Sequence, residues 1–83
     1  MSSVEESDLL KITGKRIQQI RISKGYSQVD LAGKILGVFD TTNVSRIESG
    51  RTNPTLNTLH RIAEALEVSL SELLNIEECE TDV

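Results

Sequence analysis

The sequence predicts an all-α protein, a compact five-helix bundle, and three observations carry that expectation. Apolar residues recur at three- and four-residue spacing, most clearly at Leu56, Leu59, Ile62, Ala63 and Leu66, which is the period of one helix face. Ser27, Asp40, Thr55 and Ser69 each stand just before such a segment, where a short oxygen-bearing side chain can accept from unpaired backbone N–H groups. With one tyrosine, one phenylalanine and no tryptophan in 83 residues, the interior must be built from Leu, Ile, Val and Ala, and no segment alternates as a strand would. A chain of this length forms one small domain.

The first helix is expected from about Leu9 or Thr13 to Lys24, with Ile17, Ile20 and Lys24 marking one face and Gly25 as its stop. Lys15, Arg16 and Gln19 lie on its outward face. The second opens at Ser27, with Asp30 in capping-box spacing, buries Leu31, Ala32 and Ile35, and ends near Gly37. Val38 and Phe39 can then plug the space beneath the turn. Asp40 caps a third helix over Thr41 to Ser49, which buries Val44 and Ile47, leaves Thr41, Thr42, Ser45, Arg46 and Ser49 outside, and terminates at Gly50. Asn53 before Pro54 is held extended, so Arg51 to Thr55 form a loop, and Thr55 caps the strongly amphipathic fourth helix. A fifth, short helix starts at Ser69 with Glu72 in capping-box spacing and buries Leu70, Leu73 and Leu74.

The net charge of −4 would argue against a polyanionic partner, but the charge is unevenly placed. Residues 11–75 hold nine basic and six acidic side chains, a net of +3, while Glu5, Glu6, Asp8, Glu77, Glu78, Glu80 and Asp82 give the ends −7. Three parts follow: an acidic segment over 1–10, a domain over 11–76 and an acidic segment over 77–83. Two readings stand for the acidic ends, either solvated termini or segments that compete with a polyanion for the basic face or contact a protein partner. Cys79 is the lone cysteine and has no metal-ligand spacing around it, so a reducing, cytoplasmic setting is expected. No apolar run approaches the roughly 20 residues of a membrane span. His60 stands alone, without a cluster that would hold a metal, and nothing resembles a nucleophile elbow, a phosphate-cradling glycine loop or a carboxylate pair. Neither enzyme activity nor a cofactor is expected.

Two short helices across a tight turn, the second capped at both ends and carrying small polar groups plus one arginine, form a helix-turn-helix suited to hydrogen-bonding base edges in a DNA major groove. From Gly14 to Leu74 the chain resembles the Cro/CI-like, or xenobiotic-response-element, family of DNA-binding domains. The resemblance rests on G-K-R-I-Q-Q-I-R, K-G-Y-S-Q-V-D-L-A, V-S-R-I-E-S-G-R-T-N-P-T-L and L-H-R-I-A-E-A-L-E-V-S-L-S-E-L, in that order. It implies a lambda-repressor-like bundle of five helices, a third helix that enters the major groove, and homodimers on two-fold-symmetric double-stranded operators. By position, the resemblance puts Thr41, Thr42, Ser45 and Arg46 at base edges with Asn43 at their margin. It puts Gln28 on the phosphate backbone and Arg51, Asn53 and Thr55 in a loop that approaches the same strand. Arg21 and Glu48 match positions that the family pairs as a largely buried ion pair. The chain departs in one place, with about two more residues between Leu31-Ala32 and Val44 than the family pattern. Ser45 and Arg46, anchored by Val44, Ile47 and Gly50, are therefore better placed than Thr41 and Thr42, and Asp40 is read as a cap because a phosphate would repel it.

The expected function is a sequence-specific DNA-binding transcriptional regulator, a homodimeric repressor. A single copy makes too few base contacts for useful selectivity, and two copies on half-sites about 34–36 Å apart double the readout. The fifth helix holds more apolar groups than a terminal helix should leave in water, which makes Leu70, Leu73, Leu74 and Ile76 the expected dimer surface, unless they close the monomer core instead. Arg46 is expected on guanine O6 and N7, on phosphate, or as an ordinary solvated arginine. Three alternatives stand: an antitoxin, a restriction-modification controller with the same mechanism, or a protein-interaction adaptor that has lost DNA.

Overall fold

A computed structural model describes residues 6–76, which form five helices and no strand. They are α1 (Glu6–Ser23), α2 (Gln28–Lys34), α3 (Thr41–Glu48), α4 (Leu56–Leu66) and α5 (Leu70–Leu73). Four of the five starts have one cause, a side-chain oxygen that accepts from a backbone N–H three residues on. Ser27 accepts from Asp30, Asp40 from Asn43, Thr55 from Thr58 and Ser69 from Glu72, at 2.9 to 3.1 Å. At α2 the bond is reciprocated, because the Ser27 N–H donates to the Asp30 carboxylate at 2.9 Å. At α5 only the serine half of the box forms.

Each helix contributes a buried face to one core. Ile17 and Ile20 from α1, Leu31 and Ala32 from α2, Val44 and Ile47 from α3, Ile62, Ala63 and Leu66 from α4, and Leu73 from α5 are all buried, with Ile35 just past α2. α3 packs against both α1 and α2, α2 also against α4, and α5 bridges α4 and α1. The alanines at 32 and 63 present no more than a methyl group, so neighbouring helices can approach closely.

Several boundaries differ from the sequence reading. α1 begins at Glu6, so residues 6–10 of the expected acidic N-terminal segment are helical. α2 ends at Lys34, before Gly37, because Ile35 leaves the helix in extended geometry while remaining buried. The turn to α3 therefore spans 35–40 and absorbs the additional residues. Phe39 packs against the core from that turn, but Val38 is fully exposed and plugs nothing. α3 stops at Glu48 with Ser49 as its cap. Leu73, expected on a dimer surface, lies fully buried in the core of its own chain. Arg16 does not simply face water, because its guanidinium donates to the Glu72 carbonyl at 2.9 and 3.3 Å. Residues 1–5 and 77–83, with Cys79, Glu5, Glu77, Glu78, Glu80 and Asp82, lie outside the described residues.

Candidate nucleic-acid interface

The exposed side of α3 is set by what its other side must bury. Val44 and Ile47 are packed into the core, and Glu48 is buried beside them. On a 3.6-residue period this leaves Thr42, Ser45, Arg46 and Ser49 as one stripe, at spacings of three, four and seven, and all four are exposed. The stripe is about 10 Å long at 1.5 Å per residue, short enough to lie within a major groove roughly 12 Å wide. It offers three hydroxyls and one guanidinium, and no carboxylate interrupts it. Ser49 extends the stripe beyond the residues that the resemblance marks, and its hydroxyl donates to the Arg46 carbonyl at 3.2 Å.

The other expected contacts divide. Thr41 is half-buried at the start of the helix. Asp40 is occupied as a cap, its carboxylate accepting the Asn43 N–H at 2.9 Å. Asn43 itself is half-buried and turns away from the stripe, toward a groove of about 250 Å³ between α3 and the start of α4. Thr52, Asn53, Thr55 and Thr58 also line that groove, over Phe39, Ile47 and Pro54. Arg51 and Asn53 are exposed in the loop, and Thr55 is exposed at the cap of α4.

Beneath the stripe lies a charged network that fixes its angle. Arg21 of α1 donates to both carboxylate oxygens of Glu48, Nε at 2.6 Å and Nη2 at 3.1 Å, and its Nη1 donates to the Tyr26 carbonyl at 2.8 Å. The side chains are 9% and 3% exposed, so the pair is held in a low-dielectric setting. Gln28 completes it by donating its amide to Glu48 Oε1 at 3.0 Å. The residue that the resemblance puts on phosphate thus has one amide proton engaged inside the protein. That link spans 20 positions and joins the start of α2 to the end of α3, and no local pattern in the sequence announces it.

His60 is exposed and lies 3.4 Å from Glu64, one turn on. Among the described residues no group of three His, Cys, Asp or Glu could hold a metal, and no helix is long and apolar enough to cross a membrane.

Residues 17–73 match the helix-turn-helix family HTH_3. An uncharacterized HTH-type transcriptional regulator of Sinorhizobium fredii, y4dJ, is 36% identical over 67 residues, which cover 81% of this chain and 84% of that protein. The hypothetical transcription factor NHTF from Neisseria has a similar solved structure, with a TM-score of 0.77 and 30% identity, covering 94% of this chain and 88% of its own. The restriction-modification controller protein C.Esp1396I, solved as a tetramer with its natural 35-base-pair operator, has a TM-score of 0.71 and 39% identity, covering 80% of this chain and 88% of its own.

Proposed function

Because the chain belongs to the helix-turn-helix family HTH_3, we propose that it is a DNA-binding transcriptional regulator, a homodimeric repressor that reads a palindromic operator with α3. The observation that carries this reading is the stripe of Thr42, Ser45, Arg46 and Ser49, exposed on a helix whose opposite side is locked into the core. Hydroxyls can meet either strand's base edges, and a guanidinium matches guanine O6 and N7 in bidentate geometry. Arg51, Asn53 and Thr55 would hold phosphate beside it, with Gln28 using its second amide proton. The likeness to a controller protein bound to its operator supports both the DNA ligand and an assembly of copies. A DNA ligand puts the protein in the cytoplasm, with no cofactor in the mechanism.

The dimer reading rests on Leu74 and Ile76, which remain partly exposed near the end of the domain, whereas Leu70 packs against the core and Leu73 is buried in it. Glutamate at Leu74 or Ile76 should leave the fold intact, shift sedimentation to that of a monomer and weaken operator binding.

Selection from a random pool of duplexes tests the function directly. The expected result is a two-fold-symmetric consensus with half-sites about 10 base pairs apart. Affinity that does not fall as salt rises would favour the adaptor reading, since phosphate contacts release counterions, and a bound pool without a consensus would overturn base reading by α3. The likeness to C.Esp1396I favours one second reading, a restriction-modification controller, which changes the circuit and leaves the mechanism as it is.

A further inference from the structure

We propose that the groove between α1 and the segment following α5 is a docking site for the chain's own acidic stretch, residues 77–83. The groove holds about 330 Å³ and is lined by Ile12, Lys15, Arg16, Gln19, Asn75 and Ile76. The four α1 residues recur at three, four and seven positions, so they form one face of that helix. Arg16 ties the end of α5 to this face through the Glu72 carbonyl, and the chain then turns past Asn75 and Ile76 alongside α1. The lining contains two cations and no carboxylate. The nearest acidic side chains on the two elements are Asp8, a turn before Ile12, and Glu72, whose side chain is exposed.

Charge, position and length agree on the occupant. Residues 77–83 carry Glu77, Glu78, Glu80 and Asp82 and no basic residue. They begin at Ile76, which is itself part of the groove wall. Four extended residues reach about 13 Å at some 3.3 Å each, and the stripe from Ile12 to Gln19 runs about 10 Å, so Glu77 to Glu80 suffice to follow it past Lys15. A tether this short gives an effective concentration of the order of millimolar, so the segment meets the groove without the cost a separate peptide would bear. None of Thr42, Ser45, Arg46 and Ser49 lines the groove, so a docked acidic stretch leaves the α3 stripe open. Its carboxylates are kept against Lys15 and Arg16 and away from Arg46 and Arg51.

The test is an amide NMR comparison of the full 83-residue chain without DNA, so its outcome does not depend on what α3 binds. Glu77→Gln, Glu78→Gln and Glu80→Gln combined should move the amide resonances of Ile12, Lys15 and Gln19 while leaving Leu59 in place. Raising salt to about 1 M, where the screening length falls to about 3 Å, should move the same resonances the same way. Lys15→Gln should in turn move the amides of residues 77–80. Groove amides that stay fixed in the combined variant overturn the proposal. In a Leu74→Glu background, which the dimer reading makes a monomer, the same shifts should persist, and their loss there would overturn the proposal by assigning the acidic stretch to the groove of a second copy.

Discussion

Gly14 and Glu48 meet where α1 crosses the carbonyl end of α3, and a Cβ at Gly14 would stand 2.5 Å from the Glu48 carbonyl oxygen. Ile47's carbonyl oxygen is closer still to that position, and both obstacles are backbone, so neither can rotate aside. The crossing is tight because the same approach delivers Arg21 to the Glu48 carboxylate. One turn of chain further, Gly50 adopts φ 77 with Lys11 packed over it, which leaves no room for a side chain there either.

Gly14→Ala therefore sets two effects against each other. Alanine is favoured over glycine in a helix interior by about 1 kcal/mol, while overpacking costs about 1–3 kcal/mol and sometimes more. The clash should win, and urea denaturation should give a less stable variant. An alanine variant as stable as the parent would show that the crossing can open.

The Arg21–Glu48 pair predicts a characteristic pattern of losses. Glu48→Ala strands a buried guanidinium and should cost about 3–5 kcal/mol, whereas Arg21→Met combined with Glu48→Leu removes both charges and should cost less than either single change. Gln28→Ala removes one bond to a charged acceptor and should cost about 1–3 kcal/mol. Thermal or chemical denaturation of the set decides it, and losses that simply add would mean that the charges do not depend on one another.

How legible these features were in the sequence depended on how local their causes are. The starts of α2, α3, α4 and α5 could be placed because each rests on a side chain bonding three residues ahead. The start of α1 and the end of α2 could not. α1 reaches back to Glu6, beyond the apolar pattern that marked its start, and α2 stops when Ile35 leaves the helix yet stays in the core, a choice made by packing that overrode the signal of Gly37. The same division runs through the candidate site. Ser45 and Arg46 follow from helical spacing about Val44 and Ile47, but the bond from Gln28 to Glu48 and the turn of Asn43 toward Thr52 and Thr55 depend on elements brought together by folding.

Asp30 predicts a pH dependence. The Ser27 backbone N–H first, and the Ser27 hydroxyl second, hold its carboxyl below the ordinary carboxylate value. A folded-state value below the unfolded one means that the contribution is fully present above the unfolded value and is lost as pH falls through the folded one. Asp30→Asn should therefore lower stability at neutral pH and flatten the acid limb of the curve, so that variant and parent converge in acid. A variant whose stability falls with acid as steeply as the parent's would assign the acid sensitivity to other carboxylates.

Arg46 and Arg51 should fail in different ways if α3 reads DNA. Arg46 stands on the exposed stripe between Ser45 and Ser49, and Arg51 in the loop that follows. Arg46→Ala should remove about 1–3 kcal/mol of discrimination at one guanine, so that affinity falls for the preferred operator and hardly changes for a duplex substituted there. Arg51→Ala should weaken all duplexes alike and reduce the slope of log affinity against log salt by about one. Both side chains are exposed and neither belongs to the buried network, so circular dichroism and melting should match the parent. Equal losses on every duplex from Arg46→Ala, in a protein that still melts normally, would move that guanidinium from a base edge to the phosphate backbone and leave Thr42, Ser45 and Ser49 as the readers.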